Sequence, residues 1–286
     1  MKFVDIKNDI AFRKIFGNEN KKVILISFLN AILHLEGNNR IKSITIENPF
    51  QLPILPNMKA SIIDVKVKDF KGNTFIVEMQ VADLAGMDKR LLYYTSKEYS
   101  QQIDSGEKYT ELNPVIFIGI FDFDFTEDKH YFSHHAICNV KTKERVIKDM
   151  DFYFIELPKF KKLAKDLDNI TDKWIYFIKE AETLDIMPEN LNDEGLTAAY
   201  ADANRNTWSI EELAAYDYAG MREQDGRGRE QKAEIRGEIR GEIKMKAKLV
   251  IEMFKEGIEN ERIAKITKLT LSEVEEIIQN YLKMTW

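Results

Sequence analysis

With 286 residues and an apolar fraction of 44%, the chain is long enough to bury at least one large hydrophobic core. Its formal net charge of −6 excludes strong long-range attraction to nucleic acid, so any contact with DNA must come from local basic residues or bridging metal ions. The single cysteine, Cys138, excludes a disulfide framework, and no apolar run reaches the roughly 18 residues of a membrane helix. With no signal-like segment at its start, the sequence predicts a cytoplasmic protein without membrane association.

Hydrophobic periodicity predicts helices and strands through most of the chain. The strand over 114–121, PVIFIGIF, is an unbroken apolar run, which is typical of a strand covered on both faces. The order of elements indicates an α/β or α+β domain around a mixed sheet. In chain order, the predicted elements are a helix over 21–35, strands over 41–47, 60–69 and 74–81, a helix over 87–103, strands over 114–121, 131–140 and 151–155, and mostly helical chain over 159–217.

The composition changes near Gln224, where a charged Glu-Ile-Arg-Gly segment repeats every four residues. On a helix the repeat gives a stripe of Ile235, Ile239 and Ile243, while each glycine costs roughly 1 kcal/mol relative to alanine. Two interpretations are open: a solvated linker helix, or a homodimer formed through residues 226–248. The predicted parts of the chain are a domain with a helical extension over 1–223, a charged repeat helix or linker over 224–248, and a small helical tail over 249–286.

The tail over 249–286 has the layout of a helix-turn-helix, with Ser272 as the predicted cap of the second short helix. That second helix would carry Glu273, Glu275 and Glu276, which would repel DNA phosphates. We therefore expect the tail to contact protein rather than a DNA groove.

The strands over 60–69 and 74–81 flank a turn centred on Lys71 and are predicted to form a hairpin. Pairing their apolar faces places Asp64 directly opposite Glu78, with Cβ atoms about 4.5 to 5.5 Å apart. Two like charges so placed repel each other, and a magnesium ion would compensate, because carboxylate oxygens are its preferred ligands. A solvated polar face is the alternative, and a slip of two residues would separate the carboxylates.

Alternation along the hairpin assigns its side chains to two faces. Gln80 lies on the same face as Glu78, where it could bond a metal-bound water or a phosphate oxygen. The apolar face is predicted to hold Ile63, Val65, Val67, Phe75, Val77, Met79 and Val81. The other face is predicted to hold Ile62, Asp64, Lys66, Lys68, Thr74, Ile76, Glu78 and Gln80.

Asp64, a turn and then Glu78-Met79-Gln80 resemble the core motif of the PD-(D/E)XK nucleases, in the branch of the Rpn-type recombination-promoting nucleases, which are also described as transposases. The likeness is collinear over roughly residues 5–185. It implies a restriction-endonuclease-like mixed β-sheet core that is flanked by helices and followed by a helical C-terminal tail. Further segments that resemble this branch are residues 8–17, 90–94 and 156–160.

The resemblance implies a metal-dependent DNA endonuclease of recombination, mobile elements or phage defence, with Asp64 and Glu78 binding Mg²⁺ or another divalent cation. The superfamily's lysine is replaced by Gln80, which carries no charge to stabilise a transition state. Lys66 on the neighbouring strand or Arg90 on the following helix could supply the missing cation. The alternative is a non-catalytic DNA- or protein-binding module of a mobile-element or defence system, which the negative net charge and Gln80 favour.

A second set of polar residues lies outside the hairpin. Arg90, Tyr94, Lys97 and Gln101 are predicted to share one face of their helix, where contact with phosphate and simple solvation are both open. Asp9 could reach the site, or it could serve only the start of the first helix.

Overall fold

The computed structural model describes residues 2–48, 50–51, 61–189 and 191–284, and the chain forms two compact units, Met1–Gly220 and Met221–Trp286. The helices are α1 (Asp9–Phe16), α2 (Lys22–Ile32), α3 (Met87–Ser100), α4 (Ile170–Glu180), α5 (Glu194–Ala203), α6 (Ile210–Lys255), α7 (Asn260–Thr267) and α8 (Leu271–Met284). The strands are β1 (Ile44–Glu47), β2 (Phe50–Gln51), β3 (Ser61–Ile62), β4 (Val65–Asp69), β5 (Thr74–Gln80), β6 (Val115–Phe121), β7 (Phe132–Ala136) and β8 (Met150–Glu156).

A six-stranded mixed sheet forms the centre of the first unit, in the order β1-β4-β5-β6-β8-β7. Strands β5, β6 and β8 run parallel to one another, whereas β1, β4 and β7 pair antiparallel with their neighbours. Strands β2 and β3 form a separate antiparallel ladder. The predicted α/β architecture, a mixed sheet with flanking helices and a helical C-terminal stretch, is confirmed.

Apolar side chains cover both faces of this sheet. Helices α1, α2, α4 and α5 build the larger cluster on one face, around Phe12, Phe28 and Trp174. Helix α3 packs on the other face through Met87 and Leu91. Because successive residues of a strand point to opposite faces, β6 contributes to both clusters and is buried along its length, as its apolar sequence predicts.

The β4–β5 hairpin has the predicted register. Lys68 pairs with Thr74 and Val65 pairs with Val77, so the turn is centred on Lys71. The Asp69 carboxylate accepts the backbone N–H groups of Lys71 and Asn73, each at 2.9 Å, which closes the turn. This register excludes the two-residue slip that would have separated Asp64 from Glu78.

The strand predicted over 60–69 is interrupted at Ile63 and Asp64, and residue 60 lies outside the described residues. Ile62 belongs to β3, and β4 begins only at Val65. As a result Ile63 packs with Ile76 in the cluster under α3, rather than with Val65 on the opposite face. The prediction for Ile63 is therefore wrong, because the bend at Asp64 breaks the alternation on which it was based.

The second unit contains a small hydrophobic cluster of its own, to which α6, α7 and α8 contribute Val250, Ile263 and Val274. Thr270 caps α8: its Oγ1 accepts the N–H of Glu273 at 3.3 Å, and the Glu273 carboxylate accepts the N–H of Thr270 at 2.7 Å. The prediction of Ser272 as the cap is wrong, since Ser272 already lies inside α8. One of the three glutamates predicted to repel DNA is thus engaged in capping.

The charged repeat over 224–248 is continuous helix within α6. Ile235, Ile239 and Ile243 are about half exposed. Both interpretations of the repeat, a linker helix and a homodimer, stay predictions. Among the helices in the described ranges, none is long and apolar enough to span a membrane.

Candidate active site

Asp64 and Glu78 lie side by side at the open end of the β4–β5 hairpin, one position beyond the paired residues Val65 and Val77. The backbone N–H of Asp64 donates to Glu78 Oε1 at 3.2 Å. The backbone N–H of Met79 donates to Asp64 Oδ2 at 2.9 Å. The predicted juxtaposition of the two carboxyl groups is confirmed, and their role as metal ligands stays a prediction.

Glu78 is a buried carboxyl group, with 3% of its surface exposed. Burial, followed by the neighbouring charge of Asp64, raises the pKa of Glu78 from 4.5 to about 8. The nearby Arg90 and the hydrogen bonds from Asp64 and Gln80 act in the opposite direction and do not offset these effects. Burial and the Asp64 charge therefore favour the neutral form of Glu78 at neutral pH in the protein without a bound cation.

Arg13 is the direct partner of Asp64. Its Nε and Nη2 donate to the same oxygen, Asp64 Oδ1, at 3.1 and 2.8 Å. Partial burial alone would lower the pKa of Arg13, but the hydrogen bond and charge of Asp64, together with Asp9, raise it. Asn8 caps α1, and Phe12 and Phe16 anchor the helix in the core, so Arg13 projects from a fixed backbone.

Gln80 turns its amide toward the carboxylate rather than away from it: its Nε2 donates to Glu78 Oε2 at 2.9 Å. The backbone carbonyl of Gln80 accepts the backbone N–H of Asp122, which follows the neighbouring parallel strand β6. Gln80 therefore helps to fix the position of Glu78 within the site.

The two residues proposed to replace the missing lysine differ in their surroundings. The Lys66 ammonium contacts Glu98 on α3 and Glu47 on β1, each at 3.2 Å. Arg90 on α3 is half-buried, donates from Nε to the Tyr94 hydroxyl at 2.7 Å, and lies close enough to Glu78 for its charge to lower the pKa of that carboxyl. Of Lys66 and Arg90, Arg90 is thus the one whose charge acts on Glu78.

Comparison with known proteins assigns the chain to a family. The family model described as PD-(D/E)XK nuclease family transposase matches residues 6–231. The chain belongs to this family. No curated protein and no solved structure matches the sequence. The resemblance inferred from the motifs is confirmed, and the family indicates a nuclease-type function with DNA as the substrate.

The matched region of this nuclease-family chain contains every residue of the site described above, including Arg13. The motif over residues 8–17 includes Arg13, but nothing in that segment indicates that α1 lies beside the hairpin. Arg13 was therefore absent from the predicted site residues. Asp9 is the exposed first residue of α1, four positions before Arg13, and its influence reaches the site through that arginine.

The α3 face predicted from Arg90, Tyr94, Lys97 and Gln101 is only partly exposed. Tyr94 and Lys97 are buried, and burial lowers the pKa of Lys97. Simple solvation is thus the wrong interpretation for these two side chains. Arg90 remains the member of this face that borders the carboxylate pair.

The motif over residues 156–160 has a structural explanation. Glu156 ends β8, pairs with Phe121 at the end of β6, and is buried. Burial would raise the pKa of Glu156, but hydrogen bonds from Lys159, Thr126 and Phe125 lower it below its ordinary value. This ionised carboxylate fixes the loop after β6 at the edge of the sheet where Gln80 also lies.

The donor set suits a hard cation. In the part of the chain that the structure describes, no group of three or more His, Cys, Asp or Glu side chains could hold a metal ion. Mg²⁺ does not need such a cage, because it keeps several waters and binds through one or two carboxylates and the phosphates of its substrate. PD-(D/E)XK nucleases usually use divalent metals, and Asp64 and Glu78 are the neighbouring carboxyl groups that would hold such an ion.

Glu78 makes the stability of the metal-free protein depend on pH. Between pH 4.5 and about 8 the folded state keeps on Glu78 a proton that the unfolded chain has released, so stability should fall as pH rises through this range. The slope that Glu78 contributes should approach about 1.4 kcal/mol per pH unit. Glu78→Gln should remove this slope, whereas Glu111→Gln, at an exposed carboxyl, should retain it. Chemical denaturation in EDTA at several pH values measures the slopes, and parallel profiles for the parent and Glu78→Gln would contradict the raised pKa.

Proposed function

We propose that the chain is a metal-dependent DNA endonuclease that hydrolyses phosphodiester bonds, with Mg²⁺ or another divalent cation bound by Asp64 and Glu78. The observation that carries this proposal is a buried carboxyl group, Glu78, placed next to a second carboxylate whose charge opposes its ionisation. Such an arrangement costs stability in the absence of a cation and gains it when a cation binds. The family supports the nuclease class, and the carboxylate pair supports the dependence on metal.

The chain's own groups have distinct roles in this proposal. When bound, the metal ion polarises the phosphate and lowers the pKa of a water nucleophile. Gln80 holds the Glu78 carboxylate in place through its amide. Arg90 supplies the positive charge that the superfamily's lysine would otherwise provide, since Lys66 is engaged by Glu98 and Glu47.

The biological setting is inferred from the family. A transposase-type nuclease acts on DNA in recombination, mobile elements or phage defence, and a cytoplasmic location fits that substrate. A homodimer through residues 226–248 would bring two sites to the two DNA strands, and it too stays a prediction. The non-catalytic alternative is a DNA- or protein-binding module, which the neutral Gln80 and the net charge of −6 favour.

Cleavage separates the two functions. With Mg²⁺, the parent protein should nick supercoiled plasmid. Asp64→Asn and Glu78→Gln should each reduce the rate by more than about 100-fold, because replacing even a residue that only orients a metal ligand lowers activity by up to that factor. The matched control is Asp124→Asn, an exposed carboxylate beyond β6 that should keep full activity. A parent that binds DNA but does not nick it, with or without Mg²⁺, Mn²⁺ or Co²⁺, would favour the binding module.

Arg90 and Lys66 can be distinguished by separating rate from stability. Arg90→Gln should lower the cleavage rate by about 100-fold at saturating Mg²⁺, as expected for the loss of a charge that stabilises a transition state. Lys66→Gln should instead destabilise the fold by about 3 kcal/mol, because it removes the ammonium from a largely buried ion-pair network. Single-turnover cleavage and urea denaturation of both variants test this. A folded, stable Lys66→Gln that has lost cleavage, beside an active Arg90→Gln, would reverse the assignment.

A further inference from the structure

Both carboxylate oxygens of Asp64 already accept hydrogen bonds, one from a fixed group and one from a movable group. Oδ2 accepts the backbone N–H of Met79, a residue of β5, at 2.9 Å. Oδ1 accepts two N–H groups of the Arg13 guanidinium, at 3.1 and 2.8 Å. The Asp64 side chain is 8% exposed and that of Arg13 is 43% exposed, so the guanidinium covers Asp64 from the solvent side.

A cation that binds Asp64 Oδ1 would compete with Arg13 for that oxygen, which already accepts two guanidinium N–H groups. A divalent ion bound to Asp64 Oδ1 would lie within a few ångströms of a positively charged guanidinium, and the two would repel each other. The partner of Oδ2 is the backbone of β5, which cannot move without a change in the sheet. The Arg13 side chain, by contrast, can leave Oδ1 while the sheet stays unchanged.

We propose that Arg13 occupies the cation position of the metal-free site, is displaced from Asp64 when a divalent ion binds, and then contacts a phosphate group of the nucleic acid. This inference rests on the proposed function, because it takes Asp64 and Glu78 as the metal site. It assigns to Arg13 a positioning role that neither the hairpin motif nor the family match specifies.

The surroundings of Arg13 allow this movement. Phe12 and Phe16 hold the α1 backbone in the core, so only the long side chain has to change its conformation. Asp9 lies one helical turn before Arg13 on the same side of α1, which keeps the released guanidinium close to the site. A planar guanidinium also matches the oxygens of a phosphate and can bind two of them at once.

Lys14, the next residue of α1, provides a matched control. It pairs with Glu212 and lies over the Trp208 ring at 4.8 Å, so it anchors α1 without contacting Asp64. A variant at Lys14 removes one positive charge and one ion pair from the same helix. It therefore reproduces the structural consequences of changing Arg13 but not the competition with the metal ion.

The test is Mn²⁺ binding to the full chain without DNA, measured by isothermal titration calorimetry for the parent, Arg13→Gln, Arg13→Lys and Lys14→Gln. Arg13→Gln should bind Mn²⁺ about ten-fold more tightly than the parent, because the repelling charge is gone. Arg13→Lys should fall between the two, which keeps the test decisive if Arg13→Gln does not fold. Lys14→Gln should match the parent.

A second measurement follows the proposed contact with phosphate. DNA binding is measured with Ca²⁺ in place of Mg²⁺, so that affinity is recorded separately from cleavage. Arg13→Gln should bind a DNA duplex more weakly than the parent, and the salt dependence of its affinity should be smaller. Opposite changes in metal and DNA affinity cannot arise from a merely structural role for Arg13. Two results together would overturn this inference alone. In the first, Asp64→Asn abolishes the Mn²⁺ binding that the parent shows. In the second, Arg13→Gln binds Mn²⁺ as tightly as the parent or more weakly. Absence of Mn²⁺ binding in the parent and in all the Arg13 variants would overturn the proposed function with it.

Discussion

The burial of one carboxyl group beside another is the constraint around which this site is organised. Glu78 lies inside the sheet, next to Asp64, in surroundings that raise its pKa to about 8. The groups closest to the pair offset part of this cost: Gln80 donates to Glu78, Arg13 donates to Asp64, and Arg90 acts on Glu78 from α3. A hard divalent cation would offset the rest. Without one, burial and the Asp64 charge favour a proton on Glu78 near neutral pH.

The fold brings these groups together from both sides of one sheet. The β4–β5 hairpin supplies the carboxylates, α1 reaches Asp64 from the helix-rich face, and α3 reaches Glu78 from the opposite face. The parallel strands β5, β6 and β8 end at the same edge, where Glu156 and Lys159 hold the intervening loop. A site assembled in this way depends on contacts between residues more than 50 positions apart, such as Arg13 and Asp64. We therefore expect small shifts of α1 or α3 to alter metal affinity before they alter the fold.

Local sequence patterns were sufficient to predict the sheet and the carboxylate pair, because the register of a hairpin is determined by alternation and by a short turn. The same reasoning was wrong where one local feature overrode the pattern. A bend at Asp64 moved Ile63 to the other face, and a capping box placed the cap of α8 at Thr270 instead of Ser272. Arg13 could not be predicted as a site residue for a different reason: no sequence signal near it shows which strand α1 contacts. The choice between Lys66 and Arg90 likewise required the positions of Glu98 and Glu47.

The central claim, that Asp64 and Glu78 together form a cation site, is tested most directly by a crystal structure with Mn²⁺ and data collected at a wavelength where manganese scatters anomalously. The account predicts one anomalous peak in this region, within about 2 Å of an oxygen of Asp64 and an oxygen of Glu78. It also predicts that the Arg13 guanidinium no longer contacts Asp64 Oδ1. Well-ordered carboxylates with no peak between them at saturating Mn²⁺, and with Arg13 still bonded to Asp64, would contradict the account.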